Sequence, residues 1–244
     1  KKINFIEQLL LIILVYLLIS FFIALPFYLS NYQVTFLNSL FESISGITGT
    51  GFSIFKNVKY LDPTLILWRS SSQWIGGLYF LFFLVLIFSN KQFNFKMNDL
   101  TYSGDGSINS ESNIKELLFR IFIFYSVLSF IIFLLLNISE VRMFNSLNLS
   151  MSLVSAGGFM PSNSLDKIIQ SNLQKLIFIF SLLISMLNFF LILNIFQKKL
   201  ITREHREDFY LIILAIIFIL LVYLNNYSGL NIIISVLSCL SNSG

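Results

Sequence analysis

The chain has 244 residues, of which 56% are hydrophobic, 16% aromatic and 11% charged, with a formal net charge of +4. A soluble globular domain carries about 25% charged residues, so this composition excludes a water-soluble fold and leaves a polytopic membrane protein. The basic residues fall between apolar runs, which suits membrane topology rather than nucleic-acid binding, and Cys239 is the sole cysteine, which excludes an intrachain disulfide.

Crossing ~30 Å of hydrocarbon takes about 20 apolar residues. The first such run is Phe5 to Tyr28, where Pro26 kinks or ends the helix. Val34 to Ile47 is too short to span and reads as a re-entrant or buried helix. It leads into a glycine-bearing loop, Ser45-Gly46-Ile47-Thr48-Gly49-Thr50-Gly51-Phe52. Thr64 to Phe88 spans next, started by Asp62 as a cap and Pro63 as first helical residue. A polar segment follows, then a third span, Leu117 to Leu136. Met143 to Val154 is again short, and ends in Val154-Ser155-Ala156-Gly157-Gly158-Phe159. The fourth span is Leu176 to Phe196 and the fifth Phe209 to Leu224. Leu230 to Leu240 is the third short stretch, followed by Ser241-Asn242-Ser243-Gly244.

The order is a parallel internal repeat of spanning helix, short helix, glycine loop and spanning helix. Residues 3–89 form pore repeat 1, 90–116 a cytosolic linker, 117–197 pore repeat 2, 198–208 a second cytosolic linker and 209–244 the start of a truncated pore repeat 3. The short helices resemble one another, as Asn38-Ser39-Leu40-Phe41-Glu42-Ser43-Ile44-Ser45 and Asn145-Ser146-Leu147-Asn148-Leu149-Ser150-Met151-Ser152. Ten basic residues lie on the side of the first residues and linkers and six on the other. The larger set belongs in the cytoplasm. The N-terminal end of this segment is then cytoplasmic, and the short helices and loops enter from outside.

A helix entering a bilayer from outside points its partly negative C-terminus inward, which favours a cation. Glycine permits the tight return because it accepts φ > 0 and adds no side chain. Carbonyls from several such loops around one axis can replace a cation's water shell. Hydroxyls of Thr48, Thr50, Ser155, Ser241 and Ser243 add further hard oxygen donors, which suit an alkali cation. The competing view gives these glycines a packing role between helices. Three loops in matching repeat positions favour the ion.

These motifs resemble the Trk/Ktr/HKT superfamily of potassium transport proteins, nearest to its TrkH-type uptake subunits. The resemblance is carried by Phe41 to Gly51, by Leu67-Trp68-Arg69-Ser70-Ser71-Ser72-Gln73-Trp74-Ile75-Gly76-Gly77 and by Ala24-Leu25-Pro26-Phe27. It implies an all-α polytopic membrane protein with four helix–pore-helix–filter-loop–helix units around a single pore, here two complete and a third incomplete. It also implies Gly51, Gly158 and Gly244 as filter glycines. Thr48, Gly49 and Thr50, Ala156 and Gly157, and Asn242 and Ser243 become the other potassium-binding positions. Glycine at position 51, where some plant members with sodium preference carry serine, leans toward potassium. Gly49 and Asn242 depart from the family pattern, where threonine is common. The third inner helix and fourth repeat are absent, so the chain is expected to be a fragment.

The resemblance further implies a homodimer in the cell inner membrane, bound to a TrkA-like cytosolic nucleotide-binding regulatory ring. Potassium is the transported ion and no organic cofactor is expected. The alternatives are a sodium-permeable or sodium-coupled member, and a non-conducting membrane scaffold. No catalytic constellation is placed in the sequence to work together, so no enzyme is expected. Glu42 and Arg69 are ionisable residues within or beside apolar segments, where charge is costly. Glu42 is read as supporting Arg69 or the loop; the other possibility sets both in water at the outer rim.

Overall fold

The computed structural model describes residues 5–88, 111–196, 206–224, 229–241 and 243. Among these, the regular elements are all helices: α1 (Phe5–Tyr28), α2 (Phe36–Ile47), α3 (Pro63–Phe88), α4 (Glu111–Ile138), α5 (Met143–Val154), α6 (Asn172–Met186), α7 (Phe189–Phe196), α8 (Arg206–Leu224) and α9 (Leu230–Leu240). Long helix, short helix, loop and helix follow one another in α1–α3 and again in α4–α7, and α8–α9 begin the order once more. We call these the first, second and third units. Within units, α2 lies against α1 and α3, α5 against α4 and α6, and α9 against α8. Between units, α5 rests on α3 and α9 on α6.

Four helices among the described residues, α1, α3, α4 and α8, are long and apolar enough to cross a membrane. α1 and α8 leave Leu14, Leu17, Phe22, Ile216, Phe218 and Leu220 uncovered. Such faces require lipid or further protein. Lipid is as apolar as leucine, so small residues and hydrogen bonds hold membrane helices together rather than apolar burial. Ser39, Ser43, Ser146 and Ser150 of the short helices are buried and return their hydroxyls to carbonyls of the same chain turn. Gly76 lets α3 lie directly on the Ile47 carbonyl, where a Cβ would overlap that backbone. Tyr16 donates to the same carbonyl at 2.6 Å, and Trp74 to the Ser129 hydroxyl at 2.9 Å.

Local signals explain the ends. Thr35 caps α2 by accepting from the Asn38 N–H, and Ser171 and Gln174 form a reciprocal capping box on α6. α1 continues two residues past Pro26 before it stops.

Three expectations are corrected. Residues 111–116, read as linker, form the first turns of α4, and 206–208 the first turn of α8; the remainder of both linkers lies outside the described residues. The fourth span is two helices, broken at Leu187–Asn188. Leu187 is extended (φ −75°, ψ 152°), the Asn188 carboxamide accepts from the Phe190 N–H at 3.0 Å, and Asp208 Oδ1 accepts the Asn188 N–H at 2.8 Å. A side-chain cap inside an apolar run thus starts a new helix where hydropathy reads one.

Candidate functional site

The first two short helices end alike. In α2, the Thr50 N–H returns to the Ser45 carbonyl at 3.0 Å and the Gly49 N–H to Gly46 at 3.0 Å. In α5, Gly157 returns to Ser152 at 2.9 Å and Ala156 to Leu153 at 3.0 Å. This is the Schellman pair of bonds, which needs a left-handed residue just past the cap. Gly49 fills it at φ 68° and Ala156 at φ 51°. In the third unit the Ser243 N–H returns to Ser238 at 3.0 Å, the same spacing. Gly51 and Gly158 then turn left-handed again at φ 77° and 75°. Asn242 and Gly244 lie outside the described residues.

These bonds occupy the carbonyls of the last turn of α2. Ile44 accepts from Thr48, Ser45 from Thr50, Gly46 from Gly49, and Ile47 from Tyr16. The carbonyls of Thr48 and the residues after it lie beyond this bonded turn. The Thr48 and Thr50 hydroxyls pair at 2.6 Å, as do those of Ser241 and Ser243.

The structure brings the first two loops against one another. A Cβ on Gly51 would stand 2.6 Å from the Gly157 carbonyl oxygen. One on Gly49 would stand 3.6 Å from the Ser155 oxygen and 3.8 Å from that of Ala156. Carbonyls of the second loop thus look onto the glycines of the first. Bare carbonyl oxygens without side chains are what a desolvated alkali cation needs.

An ion pair braces the first loop. Glu42 and Arg69 are 0% and 2% exposed, which places them inside the protein and not in water at the rim. Glu42 accepts from Arg69 Nε at 2.7 Å, from the Ser53 hydroxyl at 2.9 Å and from the Ile54 N–H at 2.8 Å. Arg69 Nη2 donates to Ser53 at 2.9 Å, and its guanidinium lies 4.2 Å from the centre of the Phe159 ring. Charge-assisted bonds to both carboxylate oxygens are what make such burial tolerable. Counted from their helix starts, the counterparts of Glu42 and Arg69 in the second unit are Leu149 and Phe178, an apolar pair.

Two contributors escaped the sequence reading. Ser53 completes the ion-pair network. Gln73 donates to the Gly157 carbonyl and accepts from the Phe159 N–H, so one lone pair of an oxygen expected to face the ion is already engaged. Neither contact is readable from spacing, because each partner is distant in sequence. For Gln73 the sequence offers its place in the Leu67–Gly77 stretch that carries the family resemblance, and an amide set in an apolar span.

A family model described as TrkH, cation transport protein, matches residues 3–244. The chain belongs to the TrkH family. That family is one of transporters and not of enzymes. Curated relatives of this TrkH-family chain include an uncharacterised cation transporter of Methanocaldococcus jannaschii, 32% identical over 62% of the chain and 31% of that protein. The potassium uptake protein TrkI of Halomonas elongata is 43% identical over 25% of the chain and 12% of its own length. TrkG of Escherichia coli is 36% identical over 28% and 14%. The crystal structure of the potassium transporter TrkH from Vibrio parahaemolyticus superposes with TM-score 0.75 at 19% identity, over 98% of this chain and 50% of that one. The chain thus spans less than a third of the curated relatives it matches, and the likeness to the solved structure establishes the fold.

Proposed function

We propose that this chain is part of a potassium uptake pore in the cell inner membrane. Thr48, Gly49, Thr50, Gly51, Ala156, Gly157 and Gly158, with Asn242, Ser243 and Gly244 of the third loop, line its filter. The observation that carries the reading is the pair of loops with matching left-handed caps, held so that second-loop carbonyls meet Gly49 and Gly51 without side chains between. Potassium moves inward down the membrane potential, which supplies about 2.3 kcal/mol per charge per 100 mV. Glu42 and Arg69 act by bracing the loop after Gly51. The complete protein works as a homodimer on a TrkA-like nucleotide-binding ring, with the N-terminal end of this segment in the cytoplasm.

The test is rubidium uptake by potassium-starved cells expressing the complete gene product. Gly51→Arg places a cation and a bulky side chain in the filter, and uptake is expected to fall to background. Growth rescue by that variant equal to wild type would favour a scaffold. Uptake of sodium in preference to rubidium by the wild type would favour the sodium-permeable reading.

A further inference from the structure

We infer that Gln73 is a positioning residue that sets the conformation of the second loop from within the first unit. The inference rests on the pore reading above. Gln73 lies on α3 and is fully buried. Its carboxamide grips the backbone on both sides of Gly158: Nε2 donates to the Gly157 carbonyl, and Oε1 accepts from the Phe159 N–H at 3.1 Å. Glycine is the residue most able to turn its flanking peptides, and Gly158 sits at φ 75°. Holding the peptide groups on either side fixes what Gly158 alone leaves free.

The fit is close. A Cβ on Gly157 would overlap the Gln73 carboxamide carbon. Arg69 lies one turn earlier on the same face of α3, and its guanidinium stacks on Phe159. One helix face therefore anchors two consecutive parts of a loop in the next unit. The counterpart of Gln73 on α6 is Leu182, which has neither donor nor acceptor. The grip thus belongs to the junction of first and second units.

It also has an electronic consequence. The Gly157 oxygen that accepts from Gln73 is the one nearest the Cβ direction of Gly51. The amide shares this oxygen with any cation in the filter, so it both orients that ligand and weakens it. Removing the amide frees the oxygen, leaves the Phe159 N–H without its acceptor, and alters the balance between ions of different size.

The experiment measures rubidium uptake and its inhibition by sodium, normalised to protein in the membrane, in the complete gene product. Gln73→Leu, close in size but without the bonds, is expected to change rubidium-over-sodium discrimination about tenfold, the equivalent of one or two lost hydrogen bonds. A merely structural role would change the amount of protein and leave the ratio alone. Gly157→Ala is expected to abolish uptake, and Gln73→Ala to restore part of it by opening the space. Wild-type discrimination in Gln73→Leu overturns the inference. Should Gln73→Leu fail to reach the membrane, the Gly157→Ala pair decides, and a defect equally deep with and without Gln73→Ala overturns it. If the wild type takes up no rubidium, the pore reading fails by itself. Coupling between Gln73→Ala and Gly157→Ala in thermal stability then remains the measure of the grip, and its absence overturns the inference.

Discussion

Gly49 and Gly51 share a left-handed backbone but not the same surroundings, which gives them different tolerances. At Gly49 a methyl group meets only ordinary contacts, the nearest at 3.6 Å. Gly49→Ala should therefore cost the conformational penalty alone, about 1–2 kcal/mol, and leave measurable rubidium uptake. Ala156 already occupies the equivalent left-handed position in the second loop. At Gly51 the added carbon would sit 2.6 Å from a backbone oxygen that cannot rotate away, so Gly51→Ala should abolish uptake; equal residual activity in the two variants would refute the distinction. The buried ion pair yields a second test at this scale. Glu42→Gln leaves the Arg69 charge buried without a countercharge, which costs about 3–5 kcal/mol. Glu42→Leu combined with Arg69→Met resembles the apolar pair at Leu149 and Phe178, and should recover most of the loss in detergent thermal unfolding. A double variant no more stable than Glu42→Gln would show that the Ile54 and Ser53 bonds, rather than the charge, matter most.

Elements were legible where hydropathy and geometry coincide. The ends of α1, α5 and α9 fall where the apolar runs fall, although neither α5 nor α9 starts on a side-chain cap. The start of α4 was not legible, since Glu111, Lys115 and Glu116 extend a helix in polar residues that a span-length reading discards. The break between α6 and α7 was not legible either, because the partner of the Asn188 N–H is Asp208, supplied by another helix. The caps of the loops were visible as glycines, yet Ala156 hid its left-handed role behind an ordinary residue type. At the break, Asn188→Ala removes the side-chain acceptor that caps α7. It should lower resistance to denaturant by about 1 kcal/mol. An unchanged midpoint would mean that Asp208 alone holds the break open.

At the scale of the molecule, the described helices leave apolar faces open. α8 and α9 leave an apolar groove of about 540 Å³ lined by Phe218, Val222, Ile232, Val236 and Cys239. Such a face calls for lipid or further protein against it. Cys239 is exposed here. It should react quickly with a membrane-permeant maleimide in residues 1–244 expressed alone and at least several-fold more slowly in the complete gene product. Equal rates would mean that the groove faces lipid in both. The fold also bears on how the chain enters a membrane. α3 is the least apolar of the four spans and carries Arg69. Arg69 lies in the first third of α3, where its insertion costs less than the ~2.5–3.5 kcal/mol of an arginine at a helix centre but still favours a partner. Its carboxylate partner resides on α2, which is too short to cross alone. The charge of the first unit is therefore buried only as a pair, the α3 arginine meeting its carboxylate where α2 folds against it, whereas the second unit, with leucine and phenylalanine in those places, carries no such condition.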